Sequence, residues 1–237
     1  MSKANLLWVD LEMTGLYPGK DKIIEVGAIA TDWQFNEIAR YESPVKVSQA
    51  FIERRLVGQF WDEHDLSRRN LIRQNSVAGK TAGTVDDELV TFCERYFAKN
   101  SDLPQATQRK IIKNQGSIKL AELAPIYLCG NSIHQDQKFI EIEFPKLQKL
   151  LHYRQLDVSS WKIVMENTIQ PPVIFAKAEN HRAMSDIEES IAELRFYLKQ
   201  MNWNVSKHQT PPVASNNGNM INPKANPFSL KIASQEH

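Results

Sequence analysis

Cysteine is nearly absent: Cys93 and Cys129 are the only two in 237 residues. Two thiols supply neither a disulfide framework nor the paired spacing of a zinc site. They read as buried, reduced side chains of a cytoplasmic protein. Long apolar runs are missing too. The first, "LLWV", is cut by Asp10; it is too short for a signal peptide, and no stretch approaches the ~18 apolar residues of a membrane span. No sign of charge dominates, since 29 Lys and Arg face 28 Asp and Glu for a formal net charge of +1. That excludes a global basic field for holding long nucleic acid, while leaving room for a small basic pocket. What is present, 42% hydrophobic and 24% charged residues, fits a soluble globular chain long enough for one domain with a full core and a tail.

The pattern along the chain predicts strands first. Residues 5–12 form an apolar run; "KIIEVGAIATD" (22–32) is rich in Ile and Val; "EIARYESPVKV" (37–47) is pushed towards a sheet edge by Pro44. Short polar links make these a meander. "TVDDELVTFCERYFAK" (84–99) sets Leu89, Phe92, Cys93, Tyr96 and Phe97 at helical spacing. "IYLCGNS" (126–132) predicts a short strand, and "QDQKFIEIEF" (135–144) a helix stopped or re-aimed by Pro145. "RQLDVSS" (154–160) predicts another strand, with Ser159 or Ser160 capping the helix that follows. The clearest helix covers 181–201, where Ala183, Ile187, Ile191, Leu194 and Leu198 form one stripe. This order predicts an α/β fold with a mixed sheet flanked by helices.

Two segments differ. Residues 98–125 are polar, set Lys99, Arg109, Lys110, Lys113 and Lys119 against Asp102 and Glu122, and read as an inserted loop with one helix near 107–114. Residues 202–237, rich in Asn, Pro and Ser and without a period, read as a disordered tail behind a domain of residues 1–201.

The stretch "LLWVDLEMTGLYPG" (6–19) carries the chemistry. Alternation on a strand points Asp10 and Glu12 to one face, with Leu7, Val9 and Leu11 on the other. Two carboxylates on a half-buried surface repel each other and lose hydration. Either Arg or Lys side chains or a hard divalent cation must neutralise them. Two later segments bear on that choice. "GNSIHQDQKF" puts Asp136 at the start of a helix just past a strand, and "HRAMSDIEES" puts His181 and Asp186 at the head of the last helix. Carboxylates at the ends of neighbouring elements suit two metal ions acting on a phosphodiester, and a nearby histidine suits removal of a proton from water. Five positions separate His181 from Asp186, which does not put both on one helical face, so His181 is expected on the loop before the helix.

"WVDLEMTGL", "GNSIHQD", "HYRQLDVSS" and "HRAMSD" together resemble the signatures of the oligoribonucleases, in the DEDDh branch of the 3′-to-5′ exonucleases. The resemblance runs across residues 5–200. It implies a ribonuclease-H-like exonuclease fold with a five-stranded mixed sheet. It implies two ions, Mg2+ or Mn2+, held by Asp10, Glu12, Asp136 and Asp186, with His181 as general base. It also implies a homodimer acting on RNA of two to a few nucleotides. Leu16 matches a wedge between bases, Ser132, Arg154 and Ser159 match a cap on the substrate's 5′ phosphate, and Tyr153 matches an aromatic reaching the partner subunit's site. Arg and hydroxyl donors suit a terminal phosphate, which offers several strong acceptors. Asp157 reads as structural. The chain departs from the pattern where Trp61 and His64 stand at an unusual spacing, and in the additions at 98–125 and 202–237.

The expectation is therefore an exoribonuclease releasing 5′-mononucleotides from dinucleotides and other very short RNA. A DNA-directed proofreading exonuclease would call for a longer basic groove or a polymerase. A catalytically inactive nucleic-acid-binding module has no need of all five catalytic positions.

Overall fold

The computed structural model describes residues 4–98, 123–169, 171–176 and 182–201. Five strands form one mixed sheet in the order β3-β2-β1-β4-β5: β1 (Leu6–Met13), β2 (Ile23–Thr31), β3 (Glu37–Pro44), β4 (Ile126–Gly130) and β5 (Leu151–Asp157). The first three are an antiparallel meander, and β4 and β5 add in parallel on the far side of β1. The expected five-stranded mixed sheet is present, and β3, with its terminal Pro44, lies at an edge.

Both faces of β1 are covered, which explains its unbroken apolar start. Leu7, Val9 and Leu11 pack with Val85, Leu89, Phe92 and Phe97 of α4 (Ala82–Phe97) and Phe139 and Ile140 of α5 (His134–Glu143). Leu6 and Trp8 point the other way, to Val158 and Met165 of α7 (Val158–Thr168) and to Ile187, Ile191 and Leu194 of α8 (Ala183–Gln200). The indole of Trp8 donates from Nε1 to Thr31 Oγ1 at 3.0 Å, so its polar atom is satisfied inside the core. All five members of the stripe predicted for the last helix are buried. Asp10 and Glu12 continue the Leu6–Trp8 side of the strand and so face α8.

Several boundaries differ from the sequence reading. Three helices, α1 (Gln49–Arg55), α2 (Gln59–Glu63) and α3 (Asp65–Ala78), fill a stretch for which no element was predicted. Of α3's fourteen residues only Leu71 and Asn75 are buried, so the helical period is faint. These helices close a small second core of Ile24, Ile52, Leu56 and Leu71. Trp61 and Ile72 pack at its border. The last strand begins at Leu151 and stops at Asp157, earlier than 154–160. Asp157, not Ser159 or Ser160, is the N-cap of α7; its carboxylate accepts from Ser159 N at 2.9 Å. Pro145 opens a separate short helix, α6 (Pro145–Gln148), as its fixed φ favours. Ala98 and Leu123 meet in a β-bridge, so the two ends of the 98–125 segment lie side by side. The helix expected near 107–114 and the tail at 202–237 fall outside the described residues. Among the described residues no helix is long and apolar enough to cross a membrane.

Candidate active site

β1 supplies the first two acids of the site, and its register explains how a third reaches them. Asp10 pairs with Gly27 on β2, and Glu12 with Glu25. A Cβ at Gly27 would lie 3.0 Å from Ile187 Cδ1 and 3.1 Å from the main-chain carbon of Ala183. Glycine there lets the start of α8 settle onto the sheet. Asp186, in the first turn of α8, is thereby brought over β1. One carboxylate oxygen from each of Asp10, Glu12 and Asp186 lies within 4.8 Å of the others.

Asp136 reaches the same strand from the opposite direction. β4 ends at Gly130, where a Cβ would sit 2.8 Å from Val9 O, so the chain turns tightly against β1 before α5 begins. Asp136 is buried in the first turn of α5, and its Oδ1 accepts from Leu11 N at 3.1 Å. Asp136 and Asp186 thus each occupy a helix N-terminus, where the helix dipole favours a negative charge.

The electrostatics of the cluster are unfavourable without a cation. Burial, followed by the charges of Asp136, Glu12 and Asp186, pushes the Asp10 carboxyl well above its usual range. Burial, Asp186 and Glu25 raise Glu12 to about 8, with Arg182 pulling the other way. Burial also raises Asp136, outweighing the hydrogen bond from Leu11 N. Converging carboxylate oxygens that share too little positive charge are the donor set of a hard divalent cation.

Glu25 is the acid that the sequence reading passed over. It is 1% exposed, and Arg182 donates to it from Nε at 3.1 Å and through a second nitrogen at 2.7 Å. Arg182 also reaches Glu42 of β3 at 3.3 Å and Gln74 of α3 at 3.2 Å. As the N-cap residue of α8, it ties the start of that helix to three other elements. Both modes of neutralisation considered for the acidic strand are therefore in play: an arginine for Glu25, and a cation-ready cluster beside it. The signal was in "KIIEVGAIA", a single acid inside an apolar run. Arg182 directly follows His181, which lies outside the described residues.

Of the expected substrate-side residues, Ser132 and Ser159 come together. Ser132 N donates to Asp157 Oδ1 at 3.0 Å and to Ser159 Oγ at 2.9 Å, and the two hydroxyl oxygens are 3.1 Å apart. Asp157 is structural, as expected. Arg154 is not part of this network among the described residues: its guanidinium lies over the ring of Tyr153, 5.3 Å from the centroid. Tyr153 is 77% exposed on the edge strand β5. Leu16 is 69% exposed at the tip of the β1–β2 loop. That loop is braced from inside by fully buried Asp21, which accepts from Thr14 Oγ1 at 3.2 Å, Tyr17 N at 3.0 Å and Arg55 Nε at 2.7 Å. A Cβ at Gly15 would be 2.6 Å from the Asp21 carboxylate, so only glycine fits. From the other side Gln135 Nε2 donates to Leu16 O at 2.8 Å, which links the loop to the residue beside Asp136. His64 packs on Phe60, with ring centroids 4.6 Å apart.

A mixed sheet with two acids from its strand β1 and two more from helix N-termini defines the class. Residues 7–56 and 90–194 match the family model described as Exonuclease. Solved structures of E. coli exonuclease I share the fold. Its zinc-bound complex with single-stranded DNA superposes with a TM-score of 0.55 at 12% identity, over 86% of this chain and 42% of that one. A structure described as apo exonuclease I gives 0.53 at 12% identity, over 84% of this chain and 42% of that one. The chain thus spans about two-fifths of the exonuclease I chains it matches. The fold is the ribonuclease-H-like exonuclease fold.

Full-length relatives narrow the class. The chain is 37% identical over 203 residues to the oligoribonuclease of Alcanivorax borkumensis, covering 81% of this chain and 93% of the relative. It is 33% identical over 198 residues to that of Alkalilimnicola ehrlichii, covering 83% and 89%, and 34% over 199 residues to that of Aliivibrio fischeri, covering 83% and 95%. The chain belongs to the oligoribonuclease family.

Proposed function

We propose that this protein is a divalent-metal-dependent 3′-to-5′ exoribonuclease that hydrolyses very short RNA, chiefly dinucleotides, to 5′-mononucleotides. The convergence of Asp10, Glu12 and Asp186 oxygens within 4.8 Å carries the reading, and the family relationship supports it. In this reading Asp10, Glu12, Asp136 and Asp186 hold two ions, Mg2+ or Mn2+. When bound, such ions supply an activated water and charge stabilisation on the leaving oxygen.

The chain's own residues do the rest. His181 takes a proton from the attacking water, which requires a neutral imidazole. Ser132 and Ser159 present hydroxyl donors to the substrate's 5′ phosphate, and Arg154 adds a charged one. Leu16 packs against the bases without reading their edges, so sequence preference is weak. The exposure of Tyr153 on an edge strand supports a homodimer in which this ring reaches the partner's site. Outside residues 98–125 the sequence carries no long basic stripe, and the net charge of +1 favours a small end-capped substrate over a long strand.

The test is a time course of purified protein on 5′-phosphorylated RNA and DNA of two to ten nucleotides, with and without chelator. The expected result is 5′-mononucleotide release from RNA that chelation abolishes and Mg2+ or Mn2+ restores. Full activity in excess chelator contradicts the metal assignment, and a clear preference for DNA contradicts the substrate assignment.

A further inference from the structure

A polar network runs from the paired serines to the helix of Asp186. Its centre is Asn131, the first residue after β4. Asn131 Nδ2 donates to Ser190 Oγ at 2.8 Å and to Glu193 Oε2 at 3.0 Å, and its Oδ1 accepts from Ser159 Oγ at 3.3 Å. Glu193 is fully buried and also accepts from Tyr197 Oη at 2.8 Å. With Glu193 Oε2 and Ser190 Oγ accepting from its nitrogen, the Asn131 amide turns that end to α8 and leaves its oxygen for Ser159. Ser190 passes the contact on, donating from Oγ to the main-chain carbonyl of Asp186 at 2.8 Å.

Ser132, next in the chain, has φ of 50°, a left-handed backbone that a residue with a Cβ seldom adopts. Such a conformation persists where surrounding bonds over-determine it. Here Asp157 and Ser159 hold its N–H, and Asn131 holds Ser159. Ser132, on the turn after β4, and Ser159, in the first turn of α7, are thus bonded to the helix that carries a metal-ligand candidate, through half-buried Asn131 and buried Ser190 and Glu193.

We propose that Asn131 is a positioning residue that fixes the distance between the serine pair and the carboxylate cluster, and through it the length of substrate the enzyme prefers. The inference rests on the reading of Ser132 and Ser159 as 5′-phosphate ligands. In a 5′-phosphorylated dinucleotide, the terminal phosphate and the scissile phosphate are one nucleotide apart. Engaging both at once requires that the two pockets keep that spacing, because small misplacements at a reacting centre cost large factors in rate. Asn131 touches neither phosphate. It joins the two elements that do.

Two variants test this. Asn131→Ala removes all three bonds; Ser190→Ala removes one acceptor and leaves the bonds between Ser132 and Ser159 intact, and it decides the matter if the first variant fails to fold. Both are assayed for kcat and KM on a 5′-phosphorylated dinucleotide, the same dinucleotide without its 5′ phosphate, a phosphorylated pentanucleotide, and the p-nitrophenyl ester of thymidine 5′-monophosphate. The ester has a scissile phosphodiester but nothing that reaches the serines. The expected loss for Asn131→Ala on the phosphorylated dinucleotide is about a hundredfold in kcat/KM, with a loss on the ester at least about tenfold smaller, so that the preference for the capped dinucleotide collapses. Ser190→Ala shifts the same ratio in the same direction by about fivefold, the worth of one hydrogen bond. Equal losses on all substrates, ester included, mean a merely structural role and overturn the proposal. A preference retained in the folded variants overturns it and leaves the phosphate cap standing. A wild-type enzyme indifferent to the 5′ phosphate overturns the cap and this inference together.

Discussion

Without metal, burial, Asp186 and Glu25 raise the Glu12 carboxyl to about 8 from an ordinary 4.5. A carboxyl raised in the folded state binds protons more tightly there than in the unfolded chain. Stability without metal therefore falls as pH climbs from about 4.5 towards about 8. Bound metal replaces those protons, so its stabilising effect grows over the same window. Melting curves across this range, with chelator and with Mn2+, check both slopes. Glu12→Gln removes one of the repelling charges; it flattens the metal-free decline, weakens the Mn2+ response and lowers turnover by at least about a hundredfold. A metal-free melting temperature that does not change with pH contradicts this account. At this scale Asp10 and Glu12 stood out in the sequence because acids inside an apolar run are costly, whereas Asp136 and Asp186 stood out by their places at helix starts and by the family resemblance. Glu25 showed the same anomaly, but its neutralising partner, Arg182, lies 157 positions away, a pairing that no local pattern reveals.

The position of α8 decides whether Asp186 reaches β1. Gly27 permits the approach, and Arg182 holds it, pinning the N-cap of α8 to β2, β3 and α3. Removing one partner of a buried ion pair strands the other charge, at a cost of about 3–5 kcal/mol when both are fully enclosed. The Arg182 side chain is 28% exposed against 1% for Glu25, so the loss for Arg182→Ala belongs at or below the lower end of that range. Arg182→Ala combined with Glu25→Gln recovers part of the stability, because the stranded charge is gone. Denaturant unfolding of the single and double variants measures the coupling; strict additivity contradicts a direct pairing. The element scale also shows what sequence pattern misses. The stripe of α8 is regular and was plain. α3 has only Leu71 and Asn75 inside and exposes Leu66 and Val77, so its period is blurred. The end of β5 was misread because Ser159 looks like a cap, while the capping group is the carboxylate of Asp157 two residues earlier.

At the scale of the whole molecule, the expected assembly and substrate length follow from what the surface offers. Tyr153 stands on the edge strand with no core to enter. If it completes a partner's site, mixing Tyr153→Ala with Asp10→Ala protomers creates heterodimers with one site lacking both groups and one intact. Activity then recovers on mixing two nearly inactive proteins, to about a quarter of wild type for random exchange. No recovery despite heterodimers seen by native mass spectrometry contradicts sharing between subunits. The fold class and the ordering of the acidic motifs were readable at this scale from the motif order. The closure of the second core by residues 49–78 was not, because it is built from contacts between helices of low apolar content.

Substrate length is the central claim, and the direct measurement is kcat/KM on 5′-phosphorylated RNAs of two, three, four and seven nucleotides under one set of salt and Mg2+ conditions. If Ser132, Ser159 and Arg154 close around a single terminal phosphate, as proposed, they reward a substrate that ends there and obstruct one that continues. The dinucleotide is expected to be cleaved fastest, with a loss of about tenfold or more on adding nucleotides at the 5′ side, and Arg154→Ala is expected to flatten that dependence as well as weaken binding. Comparable kcat/KM for the dinucleotide and the heptanucleotide contradicts the capped pocket and indicates an open groove.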